Sequence, residues 1–348
     1  MARMDPKDLA LLCKRLSRIL KGNLSILNAL EITGGQTADR RMKRVTDRIT
    51  AEMKRGESFA EGVYISGAFD PCFVRCVKEA EENNRLTECL ESFEQFYREE
   101  DKRERVLRGS VYLPVMISVG FALLLIFIIM FVYPHFMAMF GEANLEIPKL
   151  ASGVLFISKL LGEYWEIFLL IAVGLIMVIQ IINNSSLGQR RMSRLVMESG
   201  SFGNIKRLIL FSRFARLFAM LRRQNIPDRE ALNTLADSFE ANIYFSENLY
   251  RAAENCAEGV RTSSVLRETG IFPADFIEML ALGEELGDIN GYLEDNALIC
   301  LEEAERAAEK RLGLWEPLLI LTVAIVLIII TVSLTAPMTT LFDEVSRI

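Results

Sequence analysis

Pro114 and Pro317 stand 203 residues apart, and so do Pro134 and Pro337. The same offset pairs Gly56 with Gly259, Phe69 with Phe272, Phe73 with Phe276 and Glu81 with Glu284. It also pairs Leu90 with Leu293, Glu99 with Glu302, Arg103 with Arg306 and Arg108 with Arg311. Nearer the N-terminus the offset is 202, so that Asn23 meets Asn225, Ala29 meets Ala231 and Leu30 meets Leu232. One register held across glycines, apolar anchors, charged positions and prolines marks an internal duplication. Whatever one half folds into, the other must fold into as well. Two copies of one domain also invite pseudo-two-fold packing, since like surfaces pair isologously.

The two halves end alike. Ala80 to Pro134 and Gly283 to Pro337 are charged, amphipathic segments that pass directly into long uncharged runs. In the second half that run is 20 residues, Pro317 to Ala336, enough at about 1.5 Å per residue to span a bilayer core. Charge-free runs at 109–141, 167–189 and 317–342 predict three spans. The composition agrees: 51% hydrophobic and 25% charged residues suit a chain that alternates between lipid and water. The expected fold is an all-α polytopic membrane protein with two tandem homologous cytoplasmic helical bundles of about six helices each and three transmembrane helices. Its parts are a helical domain at 1–108, a span at 109–134, an outward-facing loop with an amphipathic segment at 135–166 and a span at 167–187. A second helical domain at 190–316, a span at 317–337 and a short outward tail at 338–348 complete it.

Topology follows from charge. The N-terminus has no uninterrupted apolar run before its basic residues, so no secretory signal is expected there and the first block is expected to stay in the cytoplasm. Arg98, Lys102, Arg103, Arg105 and Arg108 precede the first span, Arg190, Arg191 and Arg194 follow the second, and Arg306, Lys310 and Arg311 precede the third. The positive-inside rule therefore puts the N-terminus and both large blocks on the cytoplasmic side of the cell's inner membrane.

Within the first block, apolar positions at helical spacing predict helices over Leu9–Leu20, Ile26–Thr33, Arg40–Lys54, a stretch through Phe73, Val77 and Ala80, and Leu86–Arg108. The second block predicts helices over Phe202–Leu221, through Leu232 and Phe239, over Ile243–Glu258, over Ala274–Glu284 and onward from Gly287. Pro114, Glu316 and Pro317 stand where spans begin, and Pro134 and Pro337 where they end. Proline is tolerated at helix ends because its missing donor would have no intrahelical partner there.

The search for chemistry excludes more than it finds. A net charge of −6 gives no basic surface for nucleic acid. Neither a GxxxxGK[ST] nor a GxGxxG phosphate loop occurs. His135 is the one histidine, which removes HExxH zinc sites, and no other metal or cofactor site is expected. The six cysteines lie in the inward-facing blocks without CxxC spacing and read as small buried hydrophobes. The acidic run Glu302, Glu303, Glu305 and Glu309 reads as a solvated helix face. The apolar cores of the spans hold no charged side chain, which argues against an ion-coupled pump. An oligomeric membrane transporter or permease component is the alternative reading.

GEELGDINGYL, the WEPLLIL run into the last span, the SVYLPVM run into the first, and MFVYPHFMAMF with its following Ile147-Pro148 resemble the type II secretion F family, as does the duplicated domain itself. These are inner-membrane platform proteins of type II secretion systems, type IV pili and competence pseudopili. The resemblance implies a non-enzymatic scaffold whose cytoplasmic bundles engage a hexameric assembly ATPase while its spans guide pilin or pseudopilin subunits. Other inner-membrane assembly proteins, the lipid bilayer and a second or further copy of the chain are the remaining implied partners. The family's Gly-Glu-x-x-Gly motif falls on Gly283, Glu284 and Gly287. In the first copy the same place reads Ala80, Glu81 and Asn84, so only the acid persists, and Glu284 is the acid expected to matter more.

Overall fold

The structure, a computed structural model, describes residues 4–132, 202–257 and 259–345, with the single positions Leu170, Gly174 and Met177 between them. Among the described residues there is no strand. The first copy contributes α1 (Pro6–Lys21), α2 (Ile26–Gly35), α3 (Arg40–Lys54), α4 (Phe59–Ser66), α5 (Pro71–Glu82) and α6 (Leu86–Phe127), the last followed by a π-helical turn at Ile128–Val132. The second contributes α7 (Phe202–Arg223), α8 (Asp228–Ser238), α9 (Ile243–Asn255), α10 (Thr262–Thr269), α11 (Ala274–Leu286) and α12 (Ile289–Val345).

The duplication reaches the backbone. The described residues with positive φ fall into four equivalent pairs: Asn23 with Asn225, Gly56 with Gly259, Gly67 with Gly270, and Asn84 with Gly287. Matching side chains do the same work in each copy. Ser66 Oγ donates to Val63 O as Thr269 Oγ1 donates to Leu266 O. Lys21 pairs with Glu91 as Arg223 pairs with Glu294. Phe69 stacks on Phe73 at 4.7 Å and Phe272 on Phe276 at 5.1 Å.

Sequence reasoning missed one helix in each half, and it is the same helix. α4 and α10 have only eight residues each, too short for helical periodicity to stand out from a turn.

Residues 1–106 and 186–307 form one compact unit, with the described helices of both copies around one buried apolar core. Leu9, Leu12 and Leu16 of α1 are buried in it, and Phe211, Phe214 and Phe218 occupy the equivalent stripe of α7. The packing of the copies corrects the two-fold expectation. α5 of the first copy lies against α7 and α8 of the second, whereas among the described residues α11 makes no comparable packing against α1 and α2. The junction is head-to-tail. The physical reason is local: the positions that make it, such as Asp70 and Arg213, have become Pro273 and Leu11 at the equivalent places, so the surfaces are no longer alike.

Residues 107–185 and 308–348 form the other unit. Its described part is the C-terminal stretch of α6, the π-helical turn, the single positions Leu170, Gly174 and Met177, and the C-terminal stretch of α12. Phe127 stacks on Phe131 with ring centroids 5.4 Å apart. Among the described residues no helix is long and apolar enough to cross a membrane. The expected second span, the outward loop with His135, and Pro134 lie outside the described residues, apart from the isolated positions in the second run. The uncharged run Pro317 to Ala336 lies within α12, which continues through Pro337 to Val345, so this proline does not end its helix. Pro114 and Glu316 likewise fall inside α6 and α12.

Candidate functional site

The residues that sequence comparison singled out cluster around the C-terminal end of helix five in each copy. Glu81, on α5, accepts hydrogen bonds from the backbone N–H of Phe59 at 2.9 Å and of Ala60 at 2.9 Å. These are the first two residues of α4, whose initial N–H groups have no partner inside their own helix. Glu284, on α11, does the same for α10: it accepts from the Ser263 N–H at 2.9 Å and from the Ser263 hydroxyl. A carboxylate set against a helix N-terminus gains from both the orphan donors and the helix dipole. The acids thus cap the two helices that the sequence pattern failed to reveal. Beside them Glu285 pairs with Arg261 at 3.0 Å on the surface.

The glycines of the second copy and their replacements in the first have a common steric account. Gly287 ends α11 in the left-handed conformation at φ 76°, and Asn84 adopts the same conformation at φ 56°. Asparagine is among the few residues that tolerate it. Gly283 is buried against Tyr292, and a Cβ placed on it would lie 2.8 Å from the tyrosine Cβ and 3.2 Å from Ile289 Cα. At the equivalent places the first copy has Ala80 and Cys89, both buried. The larger residue on one helix comes with a smaller one on the other, although cysteine keeps the Cβ and removes only the ring. In the first copy the joint thus carries Ala80, Cys89 and Asn84 where the second has Gly283, Tyr292 and Gly287.

The junction between the copies carries a cluster of ion pairs. Arg213 of α7 reaches Asp70 at 3.1 Å and Glu100 at 3.7 Å, and its guanidinium lies over the Phe239 ring at 5.7 Å. Burial opposes its charge, but Glu100 and Asp70 outweigh that and hold its pKa above the ordinary arginine value. Arg216 pairs with Glu99, and Arg75 with Glu230 at 2.6 Å. The N–H of Cys72 donates to Asp70 Oδ1 and to Ser238 Oγ, joining α5 to α8. A cavity of about 240 Å³ lies beside these pairs, lined by Ser92, Phe96 and Glu99 on one side and Arg216, Met220 and Arg223 on the other. No pattern in the sequence flagged Arg213, Asp70 or Glu100, because their significance is a contact across more than 100 residues.

Among the described residues no group of three or more His, Cys, Asp or Glu side chains is placed to hold a metal ion. All six cysteines are free and buried. Burial raises the Cys13 and Cys89 thiols well above their ordinary range and Cys300 to about 12. They are packing groups, as their spacing indicated.

The sequence profile of the family described as "Type II secretion system (T2SS), protein F" matches twice, over residues 12–134 and 214–337. The type IV pilus assembly protein PilC of Thermus thermophilus is 25% identical over 333 residues, covering 95% of this chain and 82% of its own. The type II secretion system protein F of Aeromonas hydrophila is 24% identical over 343 residues, covering 97% of this chain and 87% of its own. The type IV pilus assembly protein TapC of Aeromonas hydrophila is 20% identical over 346 residues, covering 99% of this chain and 84% of its own.

Proposed function

The chain belongs to the type II secretion system protein F family, and from that premise we propose that it is the inner-membrane platform of a filament assembly machine of the type IV pilus or type II secretion kind. The observation that carries this reading is the double match of one family profile, in register with the duplication and extending over both halves. The platform is a scaffold and not an enzyme. Its duplicated helical unit offers helix faces to a hexameric assembly ATPase on the cytoplasmic side, and its spans meet pilin or pseudopilin subunits in the bilayer.

Three membrane spans and a cytoplasmic N-terminus belong to the proposal. Support comes from the sequence runs and from where apolar side chains lie. Leu318, Ile320, Leu321, Ile325, Leu327 and Ile328 are exposed along α12, and Met116, Ile117, Leu123, Leu124 and Phe127 along α6. Large apolar residues exposed in such numbers on single helices are unfavourable in water and suited to acyl chains. Gly283, Glu284, Gly287 and Glu81, which shape the joints between helices four, five and six, lie where binding by the ATPase would be transmitted to α6 and α12.

Co-purification tests the reading. The detergent-extracted full-length protein is expected to capture an assembly ATPase and a pilin-like subunit from its own cell. Recovery of neither, from cells shown to be making the filament, would sink it.

A further inference from the structure

The head-to-tail junction leaves its two complementary faces open at the ends of the compact unit. In the first copy, the face of α5 and α6 is covered by α7: Phe96 is 4% exposed and the Arg103 side chain 9% exposed. At the equivalent places of the second copy Ile299 is 44% exposed and the Arg306 side chain 77% exposed. A groove of about 280 Å³ stands there, lined by Pro273, Asp275, Met279, Ile299 and Glu303, with Arg207 at the start of α7 on its other wall. The converse holds for the partner face. Met220, on α7, is buried in the junction, whereas its equivalent on α1, Arg18, is exposed, as are Leu11 and Ile32.

We propose that this groove takes α1 and α2 of a second copy of the chain, repeating between molecules the junction already formed between the two halves. Charge and shape favour that occupant. The acidic face presents Asp275, Glu278, Asp295, Glu302 and Glu303, all exposed, and the facing surface presents Lys14 and Arg18. Superposing the duplicated registers puts Lys14 opposite Glu302, where the internal junction has Arg216 and Glu99. Arg18 comes beside Asp295, where Met220 and Ser92 line the internal cavity. The ion pair of Arg213 with Asp70 becomes Leu11 with Pro273, an apolar pair, while Glu100, the second partner of Arg213, is kept as Glu303 on the acidic face. Because the junction is heterologous, each chain uses different faces toward its two neighbours, and the rotation per step decides between a closed ring and an open array.

This inference rests on the packing of the two halves and stands whether or not the chain assembles filaments. Its test is sedimentation of the full-length protein in detergent at low ionic strength over a range of concentrations. The wild type is expected to self-associate, with the association weakened by salt. Lys14→Glu and Glu302→Lys are each expected to raise the dissociation constant by about tenfold or more, because like charges then face each other at the junction. The double variant Lys14→Glu, Glu302→Lys is expected to return to within about threefold of wild type, since the pair is restored in reverse. Both positions are at the surface, and unchanged thermal melting of each variant separates lost association from lost folding. A wild type that is monomeric throughout overturns the proposal. So does association that survives both single reversals, which would put the second copy on another surface. Failure of the double variant to recover overturns it equally.

Discussion

Tyr292 stands so close to Gly283 that no residue with a side chain fits at position 283 without displacing it. The equivalent places in the first copy hold Ala80 and Cys89, both buried. Gly283→Ala alone is expected to lower stability by about 1–3 kcal/mol through overpacking. Adding Tyr292→Cys should recover only part of that loss, because the cysteine removes the ring but keeps the Cβ that the new methyl meets. Thermal melting of the three proteins gives the coupling, and simple additivity of the two substitutions would contradict the account.

Glu81 and Glu284 each satisfy two donors at the start of the facing short helix. Sequence comparison favours Glu284 as the more consequential acid, whereas the bonding gives them one shared role. Glu81→Ala and Glu284→Ala are therefore expected to destabilise by similar amounts, about 1–2 kcal/mol each, the usual range for a lost helix cap. Amide exchange should locate the loss: protection falls first in α4 for one variant and in α10 for the other. An unchanged exchange pattern in both helices would rule out the capping role.

Arg213 holds two carboxylates from the other copy. Arg213→Ala leaves Asp70 and Glu100 facing each other without their cation at a largely buried place, and a cost of about 1–3 kcal/mol is expected. Arg213→Lys should recover only part of it, because the ammonium cannot reproduce the guanidinium's fork or its stacking on Phe239. Chemical denaturation followed by far-ultraviolet circular dichroism measures both; equal stability of the lysine variant and wild type would argue against the geometry.

The buried thiols make stability depend on pH in one direction. Burial raises the folded pKa values of Cys13, Cys89 and Cys300 above the ordinary 9.0, so the contribution of each as a neutral thiol is fully present below about pH 9. It is lost as pH rises from there toward the folded values, because the unfolded chain ionises first. Melting temperature is expected to fall between pH 9 and 11, and to fall less in a Cys13→Ala, Cys89→Ala variant. In the native protein at pH 8 the six thiols should react slowly with an exchange reagent, and all should react on unfolding; fast native labelling would place at least one outside the core.

Much of the fold was legible before any coordinate. Five helices in each half follow from apolar spacing, although the one expected over Ile243–Glu258 ends at Asn255. α4 and α10 escaped because eight residues give barely two turns of pattern. Part of what holds their starts is a carboxylate some 20 residues further along the chain, which no local signal announces. Placement of the candidate residues shows the same division. The sequence pointed to Gly283, Glu284, Gly287 and Glu81 as a unit, but only the tertiary contact with Tyr292 shows what holds a glycine at position 283.

By itself the sequence determined that the chain is helical, that it is built twice, and where the uncharged runs lie, because each of these is a periodicity or a count along the chain. The tertiary structure decided how the two copies meet. Isologous pairing was the natural expectation for repeated surfaces, and it fails because a junction is set by side chains brought together from distant positions. Asp70, Glu99 and Glu100 face Arg213 and Arg216, while Pro273 and Leu11 replace one such pair at the open ends. Direction in this molecule is a property of contacts, and contacts between residues more than 100 apart carry no signature in local pattern.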